Sequence, residues 1–180
     1  SISRDTAWAN RMDGAGALRI SEANSYADNY AGAAAVGPTV ALTGGVEYTL
    51  AFSAKASKIR TLQVALGDVT EVYHVPDVWS RQVMTFEAPR TGNYRLRFNV
   101  GKEDSVVWID SVYLFRGNAD VLRRDFDNAT VVVNATPTRR TVDLGGTFRR
   151  IRGTGQDAIN DGSTVRQVTI QPYDSAILIR

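Results

Sequence analysis

The alternating segment YRLRFNVG puts Arg95, Arg97 and Asn99 on one side of an extended chain, opposite Leu96, Phe98 and Val100. RTLQVALG puts Gln63 on the polar side of a second such run. Guanidinium and carboxamide groups are planar hydrogen-bonding groups of fixed geometry, suited to a ligand dense in hydroxyls or carboxylates. Aromatic rings supply the complementary apolar platform at low entropic cost, and Tyr26, Tyr30, Tyr73 and Trp79 are the candidates. Tyr26 and Tyr30 lie in a small, polar stretch with no apolar pattern, which favours ligand contact. Trp79 opens an alternating run, which favours the core. Arginines on a sheet face also serve as solubilising charges that protect an edge, so that reading stands beside the binding one.

Bond-breaking chemistry has less to work with. His74 is the single histidine and there is no cysteine, which excludes a cysteine nucleophile and leaves little for a serine triad. Glu71, Glu87 and Glu103 could pair for glycoside hydrolysis, but they fall on turns and alternate strand faces with no reason to converge. The Asp157–Gly162 loop offers oxygen ligands at turn spacing without a full calcium-loop pattern, and reads as an Asx-rich turn. Asn128 and Asn134 head glycosylation-type triplets, a pattern common by chance.

The elements that must position these residues are strands. VEYTLAFSAKASKIRTLQVALG contains two period-two runs joined by a short polar connection, which predicts a pair of antiparallel neighbours with one buried and one free face. Further strands are expected at Ser1–Asp5, Ala17–Ser21, Val36–Leu42, Glu71–Val75, Gln82–Ala88, Arg95–Val100 and Ser105–Phe115. Turn signals recur between them (MDGAG, Gly44-Gly45, Thr91-Gly92-Asn93) and no helical stripe appears, so the fold class is all-β, a two-layer sandwich. Leu50, Phe52, Leu62, Val64, Phe86, Leu96 and Phe98 are expected to share one core. Gly117–Asp120 breaks the pattern and marks a boundary between residues 1–117 and a smaller β domain at 118–180. In that second part every basic residue is arginine, and strands are expected at Thr130–Val133, Thr141–Leu144, Thr147–Ile151, Val165–Ile170 and Ser175–Ile179.

The 180 residues are 43% hydrophobic and 22% charged, ordinary globular values. A net charge of +2 is too small to argue for nucleic acid. No apolar run approaches a membrane span and no signal peptide is present. The start at Ser1, running directly into SISRD, is what a piece of a longer protein would show, with any targeting signal upstream.

With strands and turns in place, YTLAFSAKAS, RTLQVALG, VWSRQVMTFEAP, YRLRFNVG and VVWIDSVYLF, in that order, resemble carbohydrate-binding modules of families 4, 9 and 22. SISRDT and GALRIS resemble the early strands of the same modules, so the resemblance covers roughly residues 1–116. It implies a jelly-roll β-sandwich that binds polysaccharide without catalysis; the residue chemistry above makes Tyr26, Tyr30, Gln63, Tyr73, Arg95, Arg97 and Asn99 the expected ligand contacts. The resemblance also implies a structural calcium held by Asp110 of WIDSV. One departure is that such modules usually open with a strand carrying a Phe-Glu pair, which is missing before SISRD. The tail from Arg123 onward resembles the small all-β domain that follows catalytic barrels in glycoside hydrolases. Together these imply a secreted or cell-surface accessory region with a catalytic domain upstream as its partner. The paired arginines add an expectation of an anionic polysaccharide. Two rivals are a structural β-module that braces a catalytic domain without binding sugar, and a small β-sandwich lyase using Tyr with His or Arg.

Overall fold

The computed structural model describes residues 1–21, 29–153, 155 and 159–180. In chain order the strands are β1 (Ile2–Asp5), β2 (Ala17–Ser21), β3 (Ala34–Leu42), β4 (Glu47–Ala56), β5 (Arg60–Leu66), β6 (Val69–Val75), β7 (Ser80–Glu87), β8 (Gly92–Asn99), β9 (Val106–Arg116), β10 (Val121–Asp125), β11 (Ala129–Asn134), β12 (Arg140–Arg150), β13 (Thr164–Ile170) and β14 (Asp174–Ile179). The described residues contain no α-helix, only 3-10 turns at Trp8–Asn10 and Tyr30–Gly32. The fold is all-β.

The chain divides into two compact units, Ser1–Gly117 and Asn118–Arg180. In the first, a sheet in the order β1-β2-β9-β4-β7 faces another in the order β3-β8-β5-β6, with every pairing antiparallel. The alternating residues of both sheets meet in one core holding Leu50, Phe52, Leu62, Val64, Phe86, Leu96 and Phe98, as the pattern predicts. Phe52 sits at its centre, its ring edge-on to Tyr73 at 5.4 Å and to Phe98 at 5.3 Å.

The structure corrects the expectation that β4 and β5 are hydrogen-bonded neighbours. β4 lies between β7 and β9, and β5 lies between β6 and β8 in the opposite sheet. Their short connection crosses the sandwich at its edge, where the Ser57 amide donates to the Val106 carbonyl at 2.9 Å. Two apolar faces can be buried against each other across a sandwich as well as side by side in one sheet, and period two specifies only the face. Arg60, 2% exposed, closes the core beside this crossing by donating to the carbonyls of Thr61, Ser105 and Val100 and to the Ser105 hydroxyl. The consecutive pair in the second sheet is instead β5–β6. Its turn needs Gly67, whose φ is +63° and where a Cβ would stand 2.6 Å from the Tyr94 ring.

The second unit is one antiparallel sheet, β10-β11-β14-β12-β13, around Val132, Leu144, Phe148, Val168, Ile170 and Leu178. The strands expected at Thr141–Leu144 and Thr147–Ile151 are a single strand, β12, whose register with β13 shifts between Asp143 and Phe148, with Gly145 at φ +65°. β10, from the polar run VLRRD, was not legible as a strand. Asn134 is 0% exposed, its amide donating to the Thr138 and Gln171 carbonyls, so this triplet serves packing and not a surface modification.

Candidate functional site

The outer face of β3-β8-β5-β6 carries the polar residues singled out above. Register builds it in rows. Gln63 of β5 stands between Asn99 of β8 and Val72 of β6, and Ala34 lies beyond Asn99. Ala65 stands between Arg97 and Thr70, with Val36 beyond Arg97. Arg95 pairs with Thr39, its Nε donating to Oγ1 at a long 3.5 Å. Thr61 and His74 form the row on the other side of Gln63.

Gln63, Arg97 and Asn99 are therefore brought together. The Asn99 amide donates to Gln63 Oε1 at 2.9 Å, fixing both carboxamides, while the buried Asn99 Oδ1 accepts no hydrogen bond. Arg95 and Arg97 are exposed, about 7 Å apart along one strand face. Ala65 between the arginine and Thr70 is small and buried, so the face is lowered there between longer side chains.

Tyr30 lies past the end of β8. Its carbonyl accepts from the Gly101 amide at 2.8 Å, and Lys102 Nζ stands 5.2 Å from its ring centroid. This approach requires Gly101, since a Cβ would meet the Ala33 nitrogen and the Asn29 oxygen at 2.6 Å. Beside it Glu103 accepts from the Thr61 amide at 2.8 Å and hydroxyl at 2.5 Å. Burial pushes the Glu103 carboxyl upward, but the two Thr61 bonds and the charges of Arg60 and Lys102 outweigh it and hold it below the ordinary range. Thr61 and Lys102 were not singled out in the sequence, Lys102 because it sits in a turn with no periodic signal, and Glu103 was weighed there only as a catalytic carboxylate.

Two expected residues are elsewhere. Tyr73 is 8% exposed with its ring against Phe52 in the core, so it offers no platform on the outer face. Burial, with the Glu71 carboxylate as a lesser cause, pushes its phenol well above the ordinary value. Tyr26 lies outside the described residues. Trp79 is half-buried at the start of β7, under Lys55 and away from this face.

A lyase arrangement is not formed by Tyr73, His74 and Arg97, since Tyr73 points into the core while the other two lie outside. Glu71 and Glu87 are exposed on strands of opposite sheets, and Glu103 is held by Thr61. Asp110 accepts the Met12 and Asp13 amides on Oδ2 at 2.7 and 3.0 Å, and the Ser111 amide on Oδ1 at 2.6 Å. Both oxygens thus face N–H donors, which suits a loop anchor. Among the described residues no group of three or more His, Cys, Asp or Glu could hold a metal.

No family model matches the sequence, and no curated protein does. Solved structures do match. A family 4 carbohydrate-binding module superposes with a TM-score of 0.52 at 19% identity, over 58% of this chain and 74% of the other. The chain shares the fold of that module. The carbohydrate-binding module of PbXyn10C is 27% identical over 57% of this chain and 69% of its own, with a TM-score of 0.48. The N-terminal cellulose-binding domain of Cellulomonas fimi β-1,4-glucanase C is 22% identical over 59% and 82%, also at 0.48.

Proposed function

We propose that the outer face of β3-β8-β5-β6 binds a polysaccharide chain non-covalently, and that the protein is an accessory region of a larger secreted carbohydrate-active enzyme. The observation that carries this reading is the row of planar groups on adjacent strands, with the Gln63 and Asn99 amides locked together beside Arg97. Fixed donors and acceptors bind hydroxyls without first paying to be ordered. Binding of this kind raises the effective concentration of a tethered catalyst at its substrate. Among the described residues of this face, no acid, base and nucleophile converge to do chemistry.

Arg95 and Arg97, both exposed on one side of β8, give the face a cationic bias. Anionic polysaccharide, recognised through charge-assisted pairs that salt weakens, is the ligand class this favours. Affinity electrophoresis in alginate or pectin, beside xylan and mixed-linkage glucan, at low and high salt is the test. Retardation by the uronate polymers should fall with salt and with Arg95→Ala and Arg97→Ala. Stronger, salt-insensitive retardation by the neutral glucans would overturn the charge preference. Retardation unchanged in both arginine variants would remove the site from this face.

A further inference from the structure

The outer face of the other sheet carries a second built surface. All three tryptophans of the chain lie at its corner, around the turn Trp8–Asn10. Trp8 is 81% exposed, although the turn that holds it is pinned from several sides. Asp5 accepts the Ala7 amide on Oδ1 at 3.0 Å, and Asn10 Nδ2 at 3.0 Å and Trp108 Nε1 at 2.8 Å on Oδ2. Lys55 Nζ donates to the Ala9 carbonyl at 2.6 Å and to Asn10 Oδ1 at 2.8 Å. The same ammonium stands 4.9 Å from the Trp108 ring centroid and 5.6 Å from that of Trp79. Trp79 and Trp108 are thereby fixed by the cation, and Trp8 is the ring left free.

A scattered exposed apolar side chain needs no explanation, but this one lines a cleft. Trp8 and Trp79 enclose about 360 Å³ with Arg11, Met12 and Asp13 between them. Met12 and Asp13 also line an adjoining trough of about 450 Å³, floored by Ala51 and Ser53 of β4 and walled by Tyr113 of β9 and Arg81 of β7. Ala51 and Ser53 are 3% and 8% exposed and Tyr113 is 58% exposed, so small residues form the floor and a ring forms the wall. At the junction, Ser111 adopts φ +51°, rare for a non-glycine residue, in the bulge where β9 shifts register against β4. Asp110 holds that bulge to the loop by accepting the Met12 and Asp13 amides.

We propose that this track, from Tyr113 across Asp13 and Arg81 to Trp8, is a second saccharide site, on the face opposite the cationic one and independent of it. Flat rings at both ends with a guanidinium, a carboxylate and Ser53 between them suit a run of pyranose units. Arg11 and Arg81 are offset by the Asp13 carboxylate and by that of Asp110, which accepts the Asp13 amide, so the ligand class is a neutral glycan, in contrast to the arginine face.

The test uses the whole chain with cellohexaose, xylohexaose and mannohexaose in turn, read by tryptophan emission and acrylamide quenching. Because all three tryptophans lie here and none lies on the arginine face, emission reports this site selectively. At least one hexasaccharide should shift the emission to the blue and lower the quenching, and Arg97→Ala should leave that response unchanged. Trp8→Ala and Tyr113→Ala, both exposed positions tolerant of truncation, should each weaken binding by about tenfold or more. Since Trp8→Ala removes a fluorophore, its affinity is read by calorimetry. No response to any of the three hexasaccharides, affinity undiminished in both aromatic variants, or a response lost in Arg97→Ala would overturn the proposal.

Discussion

Asp5 joins β1 to the tryptophan corner with a single carboxylate. The Trp108 indole first, and the Ala7 amide second, hold its carboxyl below the ordinary value of about 3.9. A carboxyl depressed in the folded state adds stability that is complete above its ordinary value and is lost as pH falls through the folded value. Acid titration of the melting temperature should therefore show a limb below about pH 4, accompanied by a change in tryptophan emission, and Asp5→Asn should shrink both. An identical acid limb in that variant would take Asp5 out of the account. Asp110 gives a second expectation at this scale. With both oxygens facing amides, excess chelator should leave the melting temperature where it was. A fall that added calcium reverses would assign an ion to Asp110, since a ligand of the native state must shift the transition. The same scale shows what alternation does and does not reveal. Gln63, Arg97 and Asn99 were readable as one side of their strands. Tyr73 was misassigned although its phase is shared with Val75, which is 0% exposed, while His74 between them faces out. The role of Trp8 was invisible, because a lone aromatic in a polar turn has no periodic partner, and its pinning depends on Asp5, Lys55 and Trp108 from three separate strands.

At the scale of elements, faces were legible and sheet membership was not. β4 and β5 each alternate cleanly, yet their hydrogen bonds go to different partners, set by contacts such as Ala51 with Val83 and Gln63 with Asn99 that are distant in sequence. The shared core was recoverable because burial depends on the face alone. Phe98→Ala would remove a ring that is 4% exposed and packed edge-on to Phe52, at an expected cost of about 3–5 kcal/mol. Urea denaturation should show this as a lower midpoint with an unchanged slope. A loss below about 1 kcal/mol would mean that the two sheets do not close on that ring. Gly67→Ala probes the β5–β6 turn separately. Its left-handed φ and the 2.6 Å approach to Tyr94 both oppose a Cβ, so this small surface substitution should lower the midpoint as well.

For the whole molecule, the two units differ in how much core each can call its own. Among the described residues, the sandwich core and the hydrophobic side chains packed against it all come from positions before Gly117. Any cut must respect Gly117 itself, whose amide donates to the Glu47 carbonyl at 2.8 Å and whose own carbonyl accepts the Thr49 hydroxyl at 2.7 Å. A chain ending at Ala119 should therefore unfold cooperatively and retain the polysaccharide retardation of the full chain, because Gln63, Arg95, Arg97 and Asn99 all lie within it. Among its described residues, Asn118–Arg180 has Val132, Leu144, Phe148, Val168, Ile170 and Leu178 as its buried hydrophobic core, arranged on one sheet. Domains of about 60 residues bury a smaller fraction of their surface than larger ones and are marginal, so this fragment should show a shallow transition at low urea. The comparison is made by circular dichroism and affinity electrophoresis on both fragments and the full chain. If the chain ending at Ala119 melts without cooperativity, the first unit depends on the second for its fold. If it folds but is no longer retarded, the residues that hold the polysaccharide include some beyond Ala119, and the arginine face is at most one part of the site.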